Sequence, residues 1–245
     1  MPLWMMPEAG WRKRNGLDDC DLMYKAILFD LDNTLLDFLT FKVETAKAAS
    51  KAMIMQGLPA SEIEVYGKIF SVYDKMGIEY QKTFYDVVKQ YGLEINSAER
   101  IQQAGILAYL RKKFETLKPY PFVRSTLLKL KERGLKLGIV TDAPRNKAWQ
   151  RLVLTGMEND FDLVITLDDT MNKKPHPSPF FLALKMLGLL PPACLFVGDN
   201  PERDIFGAKE VGMQTCLAKY GLWNKENSVK ADYEIDRFED LLKLC

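Results

Sequence analysis

Short apolar runs rich in β-branched residues constrain the fold more than any other feature of this chain. The first lies at Lys25–Phe29, and from Phe122 onward the later runs alternate with stretches of helical periodicity. Strands that alternate with helices form right-handed βαβ units, which build a parallel sheet. We therefore predict an α/β fold with a doubly wound, Rossmann-like parallel sheet as its core. The later runs are Lys136–Val140, Leu163–Thr166, Leu195–Val197 and Gln214–Ala218.

One long segment interrupts this alternation. Residues 37–118 contain no strand-like run, and their patterns are helical, with Ser61 and Glu64 at the spacing of a capping box. A crossover between parallel strands needs only about a dozen residues, so this segment is far longer than a connection. We predict that residues 37–118 form an all-helical cap domain inserted into a core made of residues 23–36 and 119–245.

The N-terminal residues do not continue the pattern of the core. Their basic cluster follows the apolar residues instead of preceding them, which is the wrong order for a signal peptide. We interpret residues 1–22 as an N-terminal extension outside the fold, with Met23 as a candidate native start.

Charge and cysteine usage narrow the function classes. The net charge of +1 and pI near 7.6 give no overall field that would attract nucleic acid or an anionic membrane. No apolar run approaches the length of a membrane span. Without a CxxC pair and with only one histidine, a zinc site is disfavoured, and we expect reduced thiols in a cytoplasmic protein. The four cysteines are Cys20, Cys194, Cys216 and Cys245. The sequence does not indicate an oligomeric state.

Acidic residues follow several of the predicted strands. Asp30 and Asp32 come directly after the first strand, and Asp199 follows the strand at Leu195–Val197. In open α/β sheets, ligands bind outside the carboxyl ends of the strands, so these side chains are expected to meet there. Two such charges about 4 Å apart repel by roughly 4 kcal/mol at an effective dielectric constant near 20. A Mg²⁺ ion, which prefers oxygen ligands, would convert this repulsion into ligation.

Four short motifs occur in order at these strand ends. They are DLDNT from Asp30, TD at Thr141, KP at Lys174 and GDNPERD from Gly198. Together they resemble the four motifs of the haloacid dehalogenase-like (HAD) superfamily, of the type with a helical cap inserted after the first motif. The resemblance extends from Lys25 nearly to the C-terminus. It implies a Mg²⁺-dependent phosphohydrolase that cleaves a small phosphorylated metabolite, a phosphate monoester, through an aspartyl-phosphate intermediate.

The resemblance also implies roles for individual residues. Asp30 would be the nucleophile, and Asp32 would be the general acid and then the general base. Lys174 would neutralise charge on the nucleophile and the phosphoryl group, with Lys173 as the alternative if the lysine is displaced by one position. Thr141 would hydrogen-bond a phosphoryl oxygen. The residues expected at the phosphate are Thr34, Thr141, Asp142 and Lys174.

The metal site implied by the resemblance draws on three motifs. Asp30, Asp199 and the backbone carbonyl of Asp32 would ligate Mg²⁺. Asp204 would lie at or just outside the ligand shell and orient a metal-bound water.

Several other interpretations stay open at this point. Each motif alone is commonplace, since Thr141–Asp142 could be a helix N-cap and Gly198–Asn200 an ordinary turn. A 2-haloacid dehalogenase would share the nucleophile, but Asp32 argues against it because that reaction needs no acid. A sugar-phosphate mutase or phosphotransferase would differ only in the acceptor. A phosphoacceptor signalling domain needs no helical insert, and a degenerate scaffold would not need every catalytic position filled.

Overall fold

The computed structural model describes residues 24–222 and 229–245. The interpreted N-terminal extension, Met23 and Cys20 lie outside these residues. Within the described residues, six strands, numbered β1 to β6 in chain order, form a sheet in the order β3-β2-β1-β4-β5-β6, and all neighbouring strands are parallel. The predicted doubly wound α/β core is therefore confirmed. The strands are β1 Ala26–Phe29, β2 Lys136–Val140, β3 Leu163–Ile165, β4 Cys194–Gly198, β5 Gln214–Ala218 and β6 Tyr233–Ile235.

The central strand β1 is buried along its whole length, as expected for a parallel strand covered on both faces. Ile27 and Phe29 pack in one apolar layer, which includes Leu127 from the helix that precedes β2. Leu28 points to the opposite face, where it packs in a layer with Phe180. In the sheet, β2 lies on one side of β1 and β4 lies on the other. The carboxyl end of β1 is therefore the switch point at which a ligand crevice is expected.

Among the described residues after position 119, five α-helices flank the sheet. They include a helix that follows β2, and Pro144 at its N-terminus shows that Thr141 and Asp142 are not its cap. A π-helical turn at Pro201–Ile205 follows β4 and leads into a short helix. None of the helices within residues 24–222 and 229–245 combines the length and apolarity that a membrane span requires. The helices are α5 Val123–Glu132, α6 Arg145–Thr155, α7 Leu167–Thr170, α8 Ser178–Leu187 and α9 Phe206–Glu210.

Four helices occupy the chain between β1 and α5, and they have an apolar core of their own. Met53, Ile69 and Ile101 are fully or almost fully buried in that core. Gly105 lets the first and last of these helices approach closely, because a Cβ there would lie 2.8 Å from the sulfur of Met53. That residues 37–118 form a separate domain stays a prediction. The helices are α1 Phe38–Met55, α2 Glu62–Met76, α3 Thr83–Lys89 and α4 Ile95–Thr116.

Candidate active site

The backbone at the carboxyl end of β1 positions Asp30. Its amide donates to the carbonyl oxygen of Val197 on β4, which continues the sheet by one residue. The side chain is buried and lies at the switch point of the sheet. A carboxylate buried to this extent needs a partner of opposite charge.

Lys174 supplies that charge from the loop after α7. Its Nζ lies 2.6 Å from Asp30 Oδ1 and 2.7 Å from Asp204 Oδ1, so one ammonium group bridges two carboxylates. Burial alone would lower the pKa of Lys174, but Asp204 and Asp30 outweigh it and raise that pKa above its ordinary value. Lys173 is exposed and lines the neighbouring cavity, whereas Lys174 is the buried lysine that pairs with Asp30 and Asp204.

Three carboxylates gather around this lysine. One oxygen each from Asp30, Asp199 and Asp204 lies within 4.8 Å of the others, and all three residues are buried. Burial raises the pKa of Asp199 well above its ordinary value, and the charges of Asp30 and Asp204 raise it further. One lysine does not balance three carboxylates. The set of hard oxygen donors fits a Mg²⁺ ion, and a bound cation would relieve the repulsion that raises the pKa of Asp199.

The turn after β4 brings Asp204 into this cluster. A Cβ at Gly198 would lie 2.4 Å from the Cβ of Asp204, so only glycine allows the approach. Asp204 Oδ2 accepts a hydrogen bond from the amide of Asn200 at 3.0 Å, which fixes the carboxylate. Asn200 Oδ1 in turn accepts from the amides of Glu202 and Arg203 at the start of the π-helical turn.

The side chain of Asp32 lies apart from the cluster. Its Oδ2 is 3.0 Å from Arg151 Nη1, while its Oδ1 is buried without a hydrogen-bond partner. Burial raises the pKa of Asp32 to about 7, against an opposing effect of Arg151 and with a smaller contribution from Asp30. Arg151 also pairs with Glu79, in the loop between α2 and α3, and lies 4.4 Å from the ring centre of Phe38.

The two residues after β2 line a cavity of about 350 Å³ together with Asp30 and Asp32. Thr141 Oγ1 accepts from the amide of Ala143 at 3.2 Å, so its hydroxyl proton can donate to a ligand in the cavity. Asp142 Oδ1 accepts from the amide of Lys174 at 2.9 Å. Asp142 thus holds the loop that carries the lysine.

Thr34 contacts the acidic cluster directly. Its hydroxyl donates to Asp199 Oδ1 at 3.2 Å, and its carbonyl oxygen accepts from the hydroxyl of Tyr220 at 2.8 Å. In the structure, Thr34 therefore orients a carboxylate of the cluster.

Sequence reasoning did not single out Arg151, Glu79 or Arg203. Arg203 lies within the GDNPERD motif, immediately before Asp204, and its Nη1 is 3.3 Å from Asp142 Oδ2. Its position in that motif was a usable signal. Arg151 and Glu79 carry no local signal, because their contact depends on how α6 meets the α2–α3 loop.

Comparison with known proteins agrees with this geometry. The fold and site define an α/β protein with a buried acidic cluster at the carboxyl edge of a parallel sheet. Residues 27–218 match the family model described as haloacid dehalogenase-like hydrolase. The chain belongs to that family, which confirms the resemblance inferred from the four motifs.

Similar proteins are named as phosphatases. A glyceraldehyde 3-phosphate phosphatase from Pyrococcus furiosus is 34% identical, with 90% of this chain and 92% of that protein covered. A protein of the same name from Pyrococcus abyssi is 36% identical, with 91% and 94% covered. The crystal structure of a HAD phosphatase from Thermococcus onnurineus has a TM-score of 0.65 and 30% identity, with 90% of this chain and 97% of that chain covered. The enzyme class expected from the sequence, a HAD-like hydrolase, is therefore established.

Proposed function

We propose that this protein is a Mg²⁺-dependent phosphatase that hydrolyses a small phosphate monoester through a phosphorylated Asp30. One observation carries the proposal. Asp30, Asp199 and Asp204 gather within 4.8 Å of one another, and Lys174 contacts two of the three. The names of the Pyrococcus relatives support a phosphorylated metabolite as the substrate class.

The residues present fit a magnesium ion. Asp30 and Asp199 would hold it with the backbone carbonyl of Asp32, and Asp204 would orient a water at its edge. When bound, Mg²⁺ supplies positive charge that neutralises the phosphoryl oxygens and the clustered carboxylates.

In the first step, an Asp30 oxygen attacks phosphorus and forms an acyl-phosphate bond while the ester O–P bond breaks. Lys174 and the hydroxyl of Thr141 stabilise the charge on the phosphoryl oxygens. Asp32 donates its proton to the leaving oxygen, which departs as an alcohol. The raised pKa of Asp32, about 7, favours the protonated form that this step requires.

In the second step, the Asp32 carboxylate removes a proton from a water molecule. The water oxygen attacks phosphorus, the acyl-phosphate bond breaks, and inorganic phosphate leaves Asp30 in its original form. Arg151 pairs with Asp32 Oδ2 and would hold this side chain in place once it has lost its proton.

We also propose that the inserted helices, residues 37–118, act as a cap over this site. Phe70 and Tyr73 of α2 line a cavity of about 430 Å³ together with Asp32 and Asp199. Glu79 contacts Arg151 of the core. A cap that closes here would exclude bulk water and favour small substrates over phosphoproteins. A cytoplasmic location remains our expectation, and Cys194, Cys216 and Cys245 are free thiols.

A phosphatase screen over a panel of phosphorylated metabolites, with and without EDTA, tests this proposal. Release of inorganic phosphate that EDTA abolishes and added Mg²⁺ restores is the expected result. Halide release from 2-chloropropionate in EDTA would instead favour the dehalogenase interpretation. Formation of an isomerised sugar phosphate without free phosphate would favour a mutase.

A further inference from the structure

A second cavity lies between the inserted helices and the core. Its volume is about 300 Å³, and α1, α4, α6 and the α2–α3 loop contribute its walls. Four cationic side chains line it, one from α1, one from α4 and two from α6. They are Lys42, Lys113, Lys147 and Arg151.

The lysines of this cavity have only neutral partners. Lys42 Nζ donates to the carbonyl of Ile78 at 2.9 Å, and Tyr109 Oη lies at 3.3 Å. Lys113 Nζ lies 3.4 Å from the Gln150 amide oxygen, and Lys147 Nζ lies 3.3 Å from that of Gln81. Within the described ranges, none of the three lysines forms an ion pair with a carboxylate.

The cavity contains one carboxylate, which is already paired. Glu79 lines the wall and pairs with Arg151, which also contacts Asp32. The positive charges of the lysines are therefore not balanced by the walls of the cavity.

The pKa values report this imbalance. Burial lowers the pKa of Lys113, and repulsion from Lys147 and Arg151 lowers it further. Burial also lowers the pKa of Lys42 to about 8, with Arg151 and Lys113 acting in the same direction against Glu79 and Asp32. A solvated surface lysine would avoid this cost by extending into water.

The α2–α3 loop separates this cavity from the catalytic one. Ile78, Glu79 and Tyr80 line both cavities, so the loop forms a shared wall. None of Asp30, Asp199 and Asp204 lines the lysine-rich cavity. An anionic group bound there would therefore lie outside the phosphoryl site, whether or not it belongs to a larger ligand.

We propose that the cavity lined by Lys42, Lys113 and Lys147 is a second anion-binding site, which takes a small oxyanion group such as a phosphate or a carboxylate. Charge-assisted hydrogen bonds from lysine to such an oxygen are the strongest that these walls can offer. The group could be the far end of a bound substrate or a free anion, and the two sources share this chemistry. The site itself does not depend on the proposed phosphatase activity.

Lysine acylation in EDTA tests the site without turnover. A neutral acetylating reagent is applied with sulfate as the probe, against chloride at matched ionic strength, and labelled lysines are located by mass spectrometry. Sulfate at ten times its Kd leaves about a tenth of the sites free, so labelling of Lys113 and Lys147 should slow by about tenfold. Lys112 is the internal control, because it neighbours Lys113 on α4 and pairs with Glu115 at 3.2 Å.

A variant makes the same test independent of reagent access. Lys147→Gln should raise the sulfate concentration needed for half-maximal protection of Lys113 by about tenfold, as expected when one charge-assisted hydrogen bond is lost. Lys112→Gln should leave that protection unchanged. If sulfate slows the labelling of Lys112 as much as that of Lys113 and Lys147, or slows none of them, the proposed site is refuted.

A kinetic arm, which does rest on the proposed function, identifies the source of the anion. Two test substrates are compared by their kcat/KM: phosphoglycerate, which carries a carboxylate at its far end, and glycerol phosphate, which carries none. If Lys113→Gln lowers the kcat/KM for phosphoglycerate relative to that for glycerol phosphate by about tenfold, the site holds the far end of a substrate. Sulfate protection with an unchanged ratio identifies a free anion. Because acylation needs no turnover, an inactive enzyme with protected lysines would refute only the proposed function.

Discussion

Lys174 offers the most demanding test of the site, because its single charge holds two buried carboxylates. Its Nζ lies 2.6 Å from Asp30 and 2.7 Å from Asp204, and its side chain is 1% exposed. Lys174→Met keeps most of the side-chain volume and removes the charge. Two carboxylates are then left buried without their shared cation.

The size of the effect follows from this burial. Removing one partner of a buried ion pair costs about 3–5 kcal/mol of unfolding free energy. In a chain of this size, each kcal/mol corresponds to about 2–4 °C in Tm, so the Tm should fall by about 6–20 °C in EDTA. A cation that binds only the folded state at 100 times its Kd contributes about 2.7 kcal/mol. The variant has one positive charge fewer near the metal site, so Mg²⁺ should stabilise it more than the parent protein.

Differential scanning calorimetry of both proteins, in EDTA and in Mg²⁺, measures these effects. Lys173→Met is the matched control, because its exposed side chain should leave the Tm within about 1–2 °C, as for an ordinary surface substitution. The gap between Lys174→Met and the parent should be large in EDTA and smaller in Mg²⁺. An equal Tm for the two proteins in EDTA, or a gap that Mg²⁺ leaves unchanged, would refute this electrostatic account.

Three further substitutions probe other parts of the site. Asp30→Asn should abolish hydrolysis of p-nitrophenyl phosphate while the Tm stays similar or rises, because one of three clustered carboxylates is neutralised; substantial residual turnover would count against a nucleophilic Asp30. Asp199→Ala should raise the Mg²⁺ concentration needed for half-maximal activity by at least about tenfold, and an unchanged metal titration would remove Asp199 from the metal site. Arg151 lowers the pKa of Asp32 in the parent, so Arg151→Gln should move the alkaline fall in kcat, caused by deprotonation of Asp32, to higher pH. A variant whose alkaline limb stays at the same pH as in the parent would exclude this coupling.

The sequence was sufficient to place the acidic cluster because strand ends in a parallel sheet share one edge. Asp30 and Asp199 follow β1 and β4, which are neighbours in register, so their proximity follows once the strands are identified. Asp204 could be placed because a short turn follows β4 in the GDNPERD motif. Lys174 was placed by its motif alone.

Features that depend on packing between distant elements could not be predicted from the sequence. The contact of Arg151 with Asp32 and Glu79 requires α6 and the α2–α3 loop to meet, and no local pattern specifies that meeting. The hydrogen bond from the Thr34 hydroxyl to Asp199 joins residues 165 positions apart in the chain, and no local pattern specifies it. The strand β6 has only three residues, too few for an alternating pattern to be recognised.

The central claim is that Asp30 bonds covalently to phosphorus in a site built for Mg²⁺. Borohydride reduction of the enzyme during turnover, followed by peptide mass spectrometry, measures this directly, because an acyl phosphate is reduced to an alcohol and a free carboxylate is not. With substrate and Mg²⁺, the residue at position 30 should be converted to homoserine, and in EDTA it should remain aspartate. Steady release of phosphate with no reduction at Asp30, or with reduction at another carboxylate, would contradict the account.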